Sequence, residues 1–529
     1  MPASRRSLAR ARRASEFAEP LGVALLAPTI LREIARGVRH LCPLRAYIDS
    51  LLHHSAFEEE TMAALDEVHG WLERELPSLL QEYGVPAASV AVMVGEHRRT
   101  VASGVLNLET GVEATTDAVF QIGSVTKVFT ATLIMQLVDE GLLSLDDTVQ
   151  SVLPGFRVAD AEASRQMTVR HLLTHTSGFE GDIFTDTGDG ADYLERYVEL
   201  LATAPQLFTV GEQFSYNNAG ICVLGRIVEV LRGAPFDECF RGHLLDPLGL
   251  DFASLNAAEA ILHRAAVGHI AGHSPTADGA GELTATPVWA MARSNAPAGS
   301  MLAMRAEDLL TFARMHLDAG RSATGRQVLS PESVAAMQRP QVALPDIGWG
   351  KAWGLGWDVT AAPEGSVIGH DGSTIGQSST FRVIPGRDAA FAVLTNGGQM
   401  KGLIAALSRR LFAELAGIAP AEPIQPAPGA KPPLNRERFV GRYGSSTVEH
   451  EVFWSEEHAS LRLRSTPLGE LAKFGEEVTE VELVTWRGDT LIPASSERGR
   501  YAPIAFLGDD GSGRAEYLHS GRADRRVSA

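Results

Sequence analysis

Ser124 and Lys127 are the two residues whose types and spacing could perform covalent chemistry. They stand at the start of a segment whose apolar residues recur at the spacing of a buried helical face, and Gly141 follows where a helix would end. On a helix, a spacing of three residues places the lysine amine on the same face as the serine hydroxyl. Because a helix N-terminus already carries partial positive charge, it favours the neutral amine, which can activate a hydroxyl as a nucleophile.

Two other polar motifs offer partners for this pair. Tyr-Asn-Asn at 216–218 precedes a predicted helix over Asn218–Leu231, and His-Asp-Gly at 370–372 ends a predicted strand. Each motif also has a simpler interpretation when it is taken alone. Ser124 and Asn218 are then helix N-caps, Tyr216 is a packed aromatic ring and His370 is a turn residue.

A metal site is not expected. His171 and His175 have a spacing that can bind zinc, but the glutamate of a metalloprotease helix is missing, so we expect structural roles for both. The three cysteines are far apart and show no Cys-x-x-Cys spacing, which argues against a disulfide framework or a zinc site.

Composition limits the class of partner and the compartment. The chain has 529 residues, 45% of them hydrophobic, and a net charge of −18, which suits a globular protein and makes a nucleic-acid or anionic-membrane partner unexpected. No stretch approaches the roughly 20 apolar residues of a membrane span. The arginine-rich start and the apolar run Leu21–Ile30 are similar to a signal peptide, but Glu16 and Glu19 interrupt the approach to that run. We therefore expect a cytoplasmic protein, with an exported protein as the alternative.

Periodicity predicts the elements that must position these motifs. A helix over Met62–Tyr83 precedes two strands, and period-two segments return after residue 353, followed by a closing helix. The predicted strands are Ser89–Val94, Arg99–Leu108, Trp353–Val359, Val367–His370, Ser378–Ile384 and Ala390–Thr395, and the closing helix is Lys401–Ala416. This pattern predicts an α/β (α+β) fold with one antiparallel sheet flanked by helices and an all-helical region.

Composition also divides the chain into regions. We expect residues 1–61 to be a poorly ordered or weakly packed extension and residues 62–418 to form the main domain. Residues 419–435 are rich in proline and predict a semi-rigid linker. Short strand-like runs with many turn residues predict a small β domain over residues 436–529.

In their order along the chain, Ser-x-x-Lys, Tyr-x-Asn and His-x-Gly resemble the active-site motifs of the serine β-lactamase and penicillin-binding-protein superfamily. Flanking segments are also similar to that family, including Phe-Gln-Ile-Gly at 120–123 and His-Leu-Leu-Thr-His-Thr-Ser-Gly at 171–178. The resemblance covers roughly residues 76–416 and is closest to class C β-lactamase-related serine hydrolases with a His-x-Gly third motif. It implies a β-lactamase-like fold and a lipocalin-like C-terminal domain.

The resemblance also implies roles for individual residues. Ser124 would be acylated by a carbonyl substrate, and Lys127 and Tyr216 would share the general-base work, with the first proton acceptor left open. Asn218 would orient Lys127 and hold a substrate amide.

The third motif would complete the site. The backbone amides of Ser124 and Ser373 would form the oxyanion hole, and Gly372 would keep the strand surface clear of the acyl group. His370 would replace the lysine that binds a substrate carboxylate in β-lactamases and transpeptidases. With an ordinary pKa of about 6.5, a histidine is a weaker and pH-dependent cation, and Asp371 beside it adds negative charge.

These features predict a serine hydrolase or acyltransferase that acts on a small ester or peptide, including D-amino-acid substrates, without a metal or organic cofactor. The resemblance is closer to esterases, D-amino-acid peptidases and peptide-cyclising thioesterases than to penicillin-hydrolysing enzymes. A true β-lactamase or D,D-carboxypeptidase is the alternative enzyme. An acyl-binding sensor that does not turn over is the alternative from another class. The sequence leaves the oligomeric state open.

Overall fold

The computed structural model describes residues 42–271, 282–362, 365–419, 424–469, 472, 477–496 and 501–527. The chain divides into two compact units, residues 1–70 and 71–529. Most of the predicted N-terminal extension lies outside the described residues, which begin at Cys42 with helix α1 (Cys42–Glu82). Within the described chain, no helix combines the length and apolar character needed to span a membrane.

Short and medium helices follow α1 along the chain. They are α2 (Thr126–Asp139), α3 (Val149–Val152), α4 (Ala161–Gln166), α5 (Val169–Leu173), α6 (Tyr193–Leu200), α7 (Asn218–Arg232), α8 (Phe236–Phe240), α9 (Asp246–Leu248), α10 (Ala257–Ala260), α11 (Ala306–Leu317), α12 (Pro331–Met337) and α13 (Met400–Ala416). Two 3₁₀ helices, Gly123–Val125 and Arg293–Ala298, lie next to α2.

One antiparallel sheet organises residues 71–419, which we call the sheet region. Its strand order is β3-β2-β1-β13-β12-β11-β10-β9-β8. The strands are β1 (Ala87–Val94), β2 (His97–Asn107), β3 (Val112–Glu113), β8 (Val342–Ala343), β9 (Ala352–Trp353), β10 (Asp358–Ala362), β11 (Gly365–Thr374), β12 (Gln377–Ile384) and β13 (Ala389–Thr395). Two short pairs stand apart: β4 (Phe120–Gln121) with β7 (Ala303–Met304), and β5 (His269–Ala271) with β6 (Leu283–Ala285). The predicted fold class is confirmed.

The predicted strand Trp353–Val359 is wrong, because the structure divides it into β9 and β10. Between them the chain leaves the sheet at Gly356, which has a φ of +85°. A Cβ atom on Gly356 would lie 2.7 Å from the Cβ of Ala131 in α2. The close approach to α2 therefore requires a glycine and interrupts the strand.

Helices cover both faces of the central strands. Phe381 of β12 pairs in register with Ala392 of β13, so these two side chains share a face, and the Phe381 ring contacts Phe312 of α11 at a tilt of 48°. The preceding residue of β13, Phe391, points to the opposite face and packs on Phe412 of α13. The sheet is therefore sandwiched, which explains why β1 and β13 have nearly continuous apolar sequences.

Helix α2 is buried on all sides, although the apolar spacing of its sequence predicted only one buried face. Twelve of its residues, Thr126 to Leu137, are buried. It packs against α7 and the 3₁₀ helix Arg293–Ala298. A helix enclosed in this way holds any side chain at its N-terminus in a fixed position.

The C-terminal region forms a closed antiparallel barrel around its own apolar core. Its strands are β14 (Gly441–Gly444), β15 (Val448–Ser455), β16 (Ser460–Pro467), β17 (Thr479–Arg487), β18 (Thr490–Pro493), β19 (Ile504–Leu507), β20 (Tyr517–His519) and β21 (Ala523–Val527). The small β domain of the predicted fold class is confirmed. The boundaries at 418, 435 and 436 remain predictions.

The turn between β20 and β21 holds the segment that carries Tyr216. The ring Nε2 of His519 donates a hydrogen bond to the carbonyl of Phe214 at 2.7 Å. The amide of Tyr216 donates to the carbonyl of Gly521 at 3.0 Å, and the amide of Ala523 donates to the hydroxyl of Ser215 at 3.1 Å. The barrel is therefore hydrogen-bonded to the segment of the sheet region that carries Tyr216.

Strand β11 approaches the segment before α2 through a glycine. A Cβ atom on Gly372 would lie 1.9 Å from the carbonyl oxygen of Ile122 and 2.5 Å from the hydroxyl of Ser379. That hydroxyl donates a hydrogen bond to the same carbonyl at 2.7 Å. Gly372 is therefore required for the backbone of residues 122–124 to rest on β11.

We predict that Gly372→Ala destabilises the fold by about 1–3 kcal/mol, because the added methyl group must push two backbone segments apart. Urea unfolding followed by circular dichroism measures the change. Gly155→Ala is the matched control, since nothing lies within 4 Å of its Cβ position. Equal midpoints for the two variants would contradict the proposed close approach.

Candidate active site

Ser124 lies in the 3₁₀ turn that leads directly into α2. The Nζ atom of Lys127 lies 2.9 Å from the Oγ of Ser124 and 2.6 Å from the carbonyl oxygen of Ala298. A neutral amine can donate to the carbonyl and still accept the serine proton with its lone pair. The structure therefore brings the first predicted pair into hydrogen-bond contact.

Burial gives Lys127 an unusual pKa. Its side chain is completely buried, and this desolvation lowers the pKa from 10.5 to about 7. Opposing effects come from Cys222 and Asp182, and Arg522 lowers the pKa further. The sequence suggested that the helix N-terminus would favour the neutral amine, but burial is the larger cause. A substantial fraction of Lys127 is therefore neutral near neutral pH.

Tyr216 lies beside both Ser124 and Lys127. Its ring centroid is 4.9 Å from the Nζ of Lys127, and its hydroxyl is hydrogen-bonded to Ser124. Burial raises the pKa of Tyr216 well above 10, and the bond to Ser124 only partly opposes this. The phenol is therefore protonated, which suits it to donate or relay a proton.

Asn218 is the first residue of α7, and the N-cap is Asn217. The side chain of Asn217 accepts the amide of Gly220 at 2.6 Å, so the interpretation of Asn218 as the cap is wrong. The Nδ2 of Asn218 donates to a carboxylate oxygen of Asp182 at 2.6 Å. The amide group of Asn218 is thus oriented by Asp182, and its role toward Lys127 and a substrate remains a prediction.

Strand β11 brings the backbone of Ser373 to the serine turn. Gly123 has a φ of +53°, and a Cβ atom on it would lie 2.5 Å from the amide nitrogen of Ser373. The amide of Ser124 follows directly in the chain. Two backbone donors on adjacent segments are the arrangement that an oxyanion hole needs. The assignment of Ser124 and Ser373 to that hole remains a prediction.

His370 is a neutral residue in this site. It is 3% exposed, and its Nδ1 donates to the carbonyl of Asp371 at 2.6 Å. Burial, helped by the charge of Lys127, lowers the pKa of His370 to about 3. The expectation of a cation that titrates near neutral pH is therefore wrong.

The charge of Asp371 is compensated on the strand. Its carboxylate pairs with Arg382 at 2.7 Å and accepts a hydrogen bond from Thr380 at 2.6 Å. The pKa of Asp371 is lowered, because these contacts and the coulombic effect of Arg382 outweigh desolvation. Asp371 thus adds little uncompensated negative charge beside His370.

Arg522 and Asp182 are site residues that the sequence did not indicate. The guanidinium carbon of Arg522 lies 4.8 Å from the Tyr216 ring centroid, and its Nε and Nη2 contact the Asp182 carboxylate at 2.9 and 3.2 Å. Arg522 stands in the β20–β21 turn, far from Tyr216 in sequence and outside any motif. Only the docking of the barrel brings it here, so no local signal could have identified it.

The two histidines with zinc spacing are hydrogen-bonded to the backbone. His171 pairs with Thr168 in a capping box at the start of α5. The Nδ1 of His175 accepts the amide of Asn217 at 3.1 Å. Among the residues that the structure describes, no group of three or more potential ligands could hold a metal ion.

Comparisons with known proteins find a likeness over most of the chain. The family model described as Beta-lactamase matches residues 58–414. Penicillin-binding protein 4 of Amycolatopsis lactamdurans is 44% identical over 391 residues, which cover 72% of this chain and 97% of that protein. Esterase EstB of Burkholderia gladioli is 33% identical over 189 residues, which cover 33% of this chain and 48% of the esterase.

A solved structure extends the likeness beyond the family model. The crystal structure of SurE superimposes with a TM-score of 0.68 and is 28% identical, covering 88% of this chain and 99% of SurE. A second structure, of SurE with D-Leu, superimposes with a TM-score of 0.66.

We predict that kcat/KM for an activated ester rises about tenfold per pH unit below pH 7 and levels off above it, because the neutral form of Lys127 must accept the serine proton. His370, with a pKa of about 3, and Tyr216, with a raised pKa, do not titrate in this range. Initial rates from about pH 5 to about pH 9 measure the profile. A rate that is flat across pH 7 would show that Lys127 is not the titrating base.

Proposed function

The chain belongs to the beta-lactamase family, and we propose that it forms a covalent acyl-enzyme on Ser124 during hydrolysis or transfer of an ester or peptide acyl group. Membership of the family makes it a serine hydrolase; the acyl-enzyme, the residue roles and the substrate are the proposed part. The observation that carries the proposal is the contact of 2.9 Å between Ser124 and a completely buried Lys127.

The first step transfers one proton and forms one bond. The neutral amine of Lys127 accepts the hydroxyl proton of Ser124, and the Oγ attacks the substrate carbonyl carbon. The amides of Ser124 and Ser373 stabilise the resulting oxyanion, each donor contributing about 2.7–4 kcal/mol in comparable sites. We assign the first proton to Lys127 rather than to Tyr216, since only the lysine has a pKa near neutral pH.

The second step breaks the bond to the leaving group. The Tyr216 hydroxyl donates its proton to the departing oxygen or nitrogen and regains one from the Lys127 ammonium. Water or an amine then attacks the acyl carbon and gives its proton to Tyr216, which passes one to Lys127. The bond between the acyl carbon and the Oγ of Ser124 then breaks, and the Lys127 ammonium returns a proton to that Oγ. The chain returns to its starting state with Ser124 protonated and Lys127 neutral.

The charges around Ser124 favour substrates without a carboxylate next to the reacting carbonyl. His370 is neutral, and Arg522 is paired with Asp182. In the described part of the site, the remaining basic side chain is Lys127, which must be neutral to act as the base. Similarity to Esterase EstB supports an ester substrate, and the SurE structure with D-Leu supports acyl groups that contain D-amino acids.

A β-lactamase or D,D-carboxypeptidase is the second candidate. The observation that favours it is the 44% identity to Penicillin-binding protein 4 over nearly the whole of that protein. A non-catalytic acyl-binding sensor is the remaining alternative. It would release product equal to the amount of enzyme and then stop, whereas steady turnover would exclude it.

We predict that Ser124→Ala and Lys127→Met both lose covalent labelling by a fluorophosphonate, because one lacks the nucleophile and the other lacks the base. Lys127→Met keeps the side-chain volume in the buried position. Intact-mass spectrometry measures the added mass. Ser151→Ala is the control, because Ser151 is exposed and its hydroxyl donates a hydrogen bond to the carbonyl of Thr148. Full labelling of Ser124→Ala would end the proposal.

We also predict that kcat/KM for a p-nitrophenyl ester exceeds that for nitrocefin by about 10- to 100-fold, the range expected when a charged hydrogen bond of about 1.5–3 kcal/mol is missing. His370→Lys supplies the cation and should raise the ratio of nitrocefin to ester turnover. Steady-state rates measure both. Comparable turnover of the two substrates by the parent protein would favour the β-lactamase.

A further inference from the structure

His175 has a backbone conformation that residues other than glycine rarely adopt. Its φ is +56°, in the left-handed region, where it directly follows Thr174 at the C-terminal end of α5. Glycine is the usual residue at such a helix end, because a Cβ atom is strained there. A histidine in this position indicates that its side chain has a use that offsets the strain.

The contacts of His175 surround Tyr216 in sequence and in space. Its carbonyl accepts the amide of Ser215 at 2.8 Å, and its Nδ1 accepts the amide of Asn217 at 3.1 Å. Its ring lies on the Tyr216 ring, with centroids 4.5 Å apart and an angle of 35° between the planes. One residue thus holds the amide before Tyr216, the amide after it and the ring itself.

The ring of His175 is enclosed and uncharged. It is 0% exposed, and the rings of Phe214 and Trp353 lie 5.8 and 5.1 Å from it. Because Nδ1 accepts a hydrogen bond, the proton of the neutral ring sits on Nε2, which is buried and has no hydrogen-bond partner in the described structure. Burial keeps the pKa of His175 well below 6.5, so the acceptor at Nδ1 is permanently available.

These contacts do not extend to the reacting atoms. The described hydrogen bonds of His175 go to backbone groups, and its ring contacts other rings. The barrel adds one more bond on the same segment, from the Tyr216 amide to the carbonyl of Gly521. A shift of Tyr216 would therefore require breaking bonds on both sides of it.

We infer that His175 is a positioning residue that fixes the Tyr216 hydroxyl against Ser124 by holding the backbone on both sides of the tyrosine. This inference rests on the proposed role of Tyr216 in proton transfer. A misplacement of about 1 Å at a catalytic group lowers the rate by about 100-fold. Loss of the Nδ1 acceptor should therefore slow the chemical step and leave substrate binding unchanged.

Substitutions of His175 by asparagine and by glutamine test the hydrogen-bond acceptor at Nδ1 separately from the other properties of the side chain. His175→Asn places an amide oxygen where Nδ1 stands and tolerates the left-handed backbone. His175→Gln places its amide one bond further out, away from the Asn217 amide. If the glutamine variant does not fold, His175→Phe replaces it, since the ring is kept and the acceptor is lost.

The experiment measures kcat and KM for an alkyl ester, whose alkoxide leaving group needs the proton of Tyr216, and the rate of Ser124 labelling by a fluorophosphonate, whose fluoride leaving group does not. We expect His175→Gln to lower kcat by about 100-fold with KM and the labelling rate unchanged, and His175→Asn to keep kcat within about threefold of the parent. His316→Phe is the matched control, a buried imidazole packed on Phe312 and Trp357, and it should leave both rates unchanged.

A double-mutant cycle distinguishes positioning from general damage. In a Tyr216→Phe background, His175→Gln should cause no further loss, because the group that it positions is absent. An equal loss of kcat in both backgrounds would overturn the inference, and so would a parental kcat in His175→Gln while Tyr216→Phe is slow. If Tyr216→Phe itself keeps the parental kcat for the alkyl ester, the proposed role of Tyr216 fails and the inference fails with it.

Discussion

Burial of the Lys127 amine against Ser124 is the interaction on which the site depends. An amine with no exposed surface gains little from being charged, and its pKa falls to about 7. The surrounding architecture serves this burial, because α2 is enclosed by α7 and by the 3₁₀ helix that supplies the carbonyl of Ala298. The site therefore depends on tertiary packing, and the Ser-x-x-Lys motif alone would not create it.

The remaining groups are held by backbone contacts. Gly123 and Gly372 let the serine turn rest on β11, which brings the backbone of Ser373 against that turn. His175 and the barrel hold the segment of Tyr216 from two directions. The barrel thus has a specific place in the site, since its turn also carries Arg522 to the Tyr216 ring.

The sequence predicted what is encoded locally. The apolar spacing in α2, the strand-like runs of β11 to β13 and the order of the three motifs were enough for the fold class and the candidate nucleophile. Contacts between distant segments could not be predicted: the interruption at Gly356 and the Arg522–Asp182 pair both depend on them. The cap at Asn217 is a local contact, but two neighbouring asparagines suit that position equally well by residue type. The charge of His370 was mispredicted for the same reason, because local sequence does not report burial.

The pKa of Lys127 is the quantity that tests this account most directly. The chain has only five lysines, Lys127, Lys351, Lys401, Lys431 and Lys473, so carbon-13 labelling of lysine Cε gives few NMR signals, and Lys127→Met identifies the one of interest. A titration of that signal with a midpoint of about 7 is the predicted result. A midpoint near the ordinary value of 10.5 would contradict the account, because the amine would then be charged wherever the protein works.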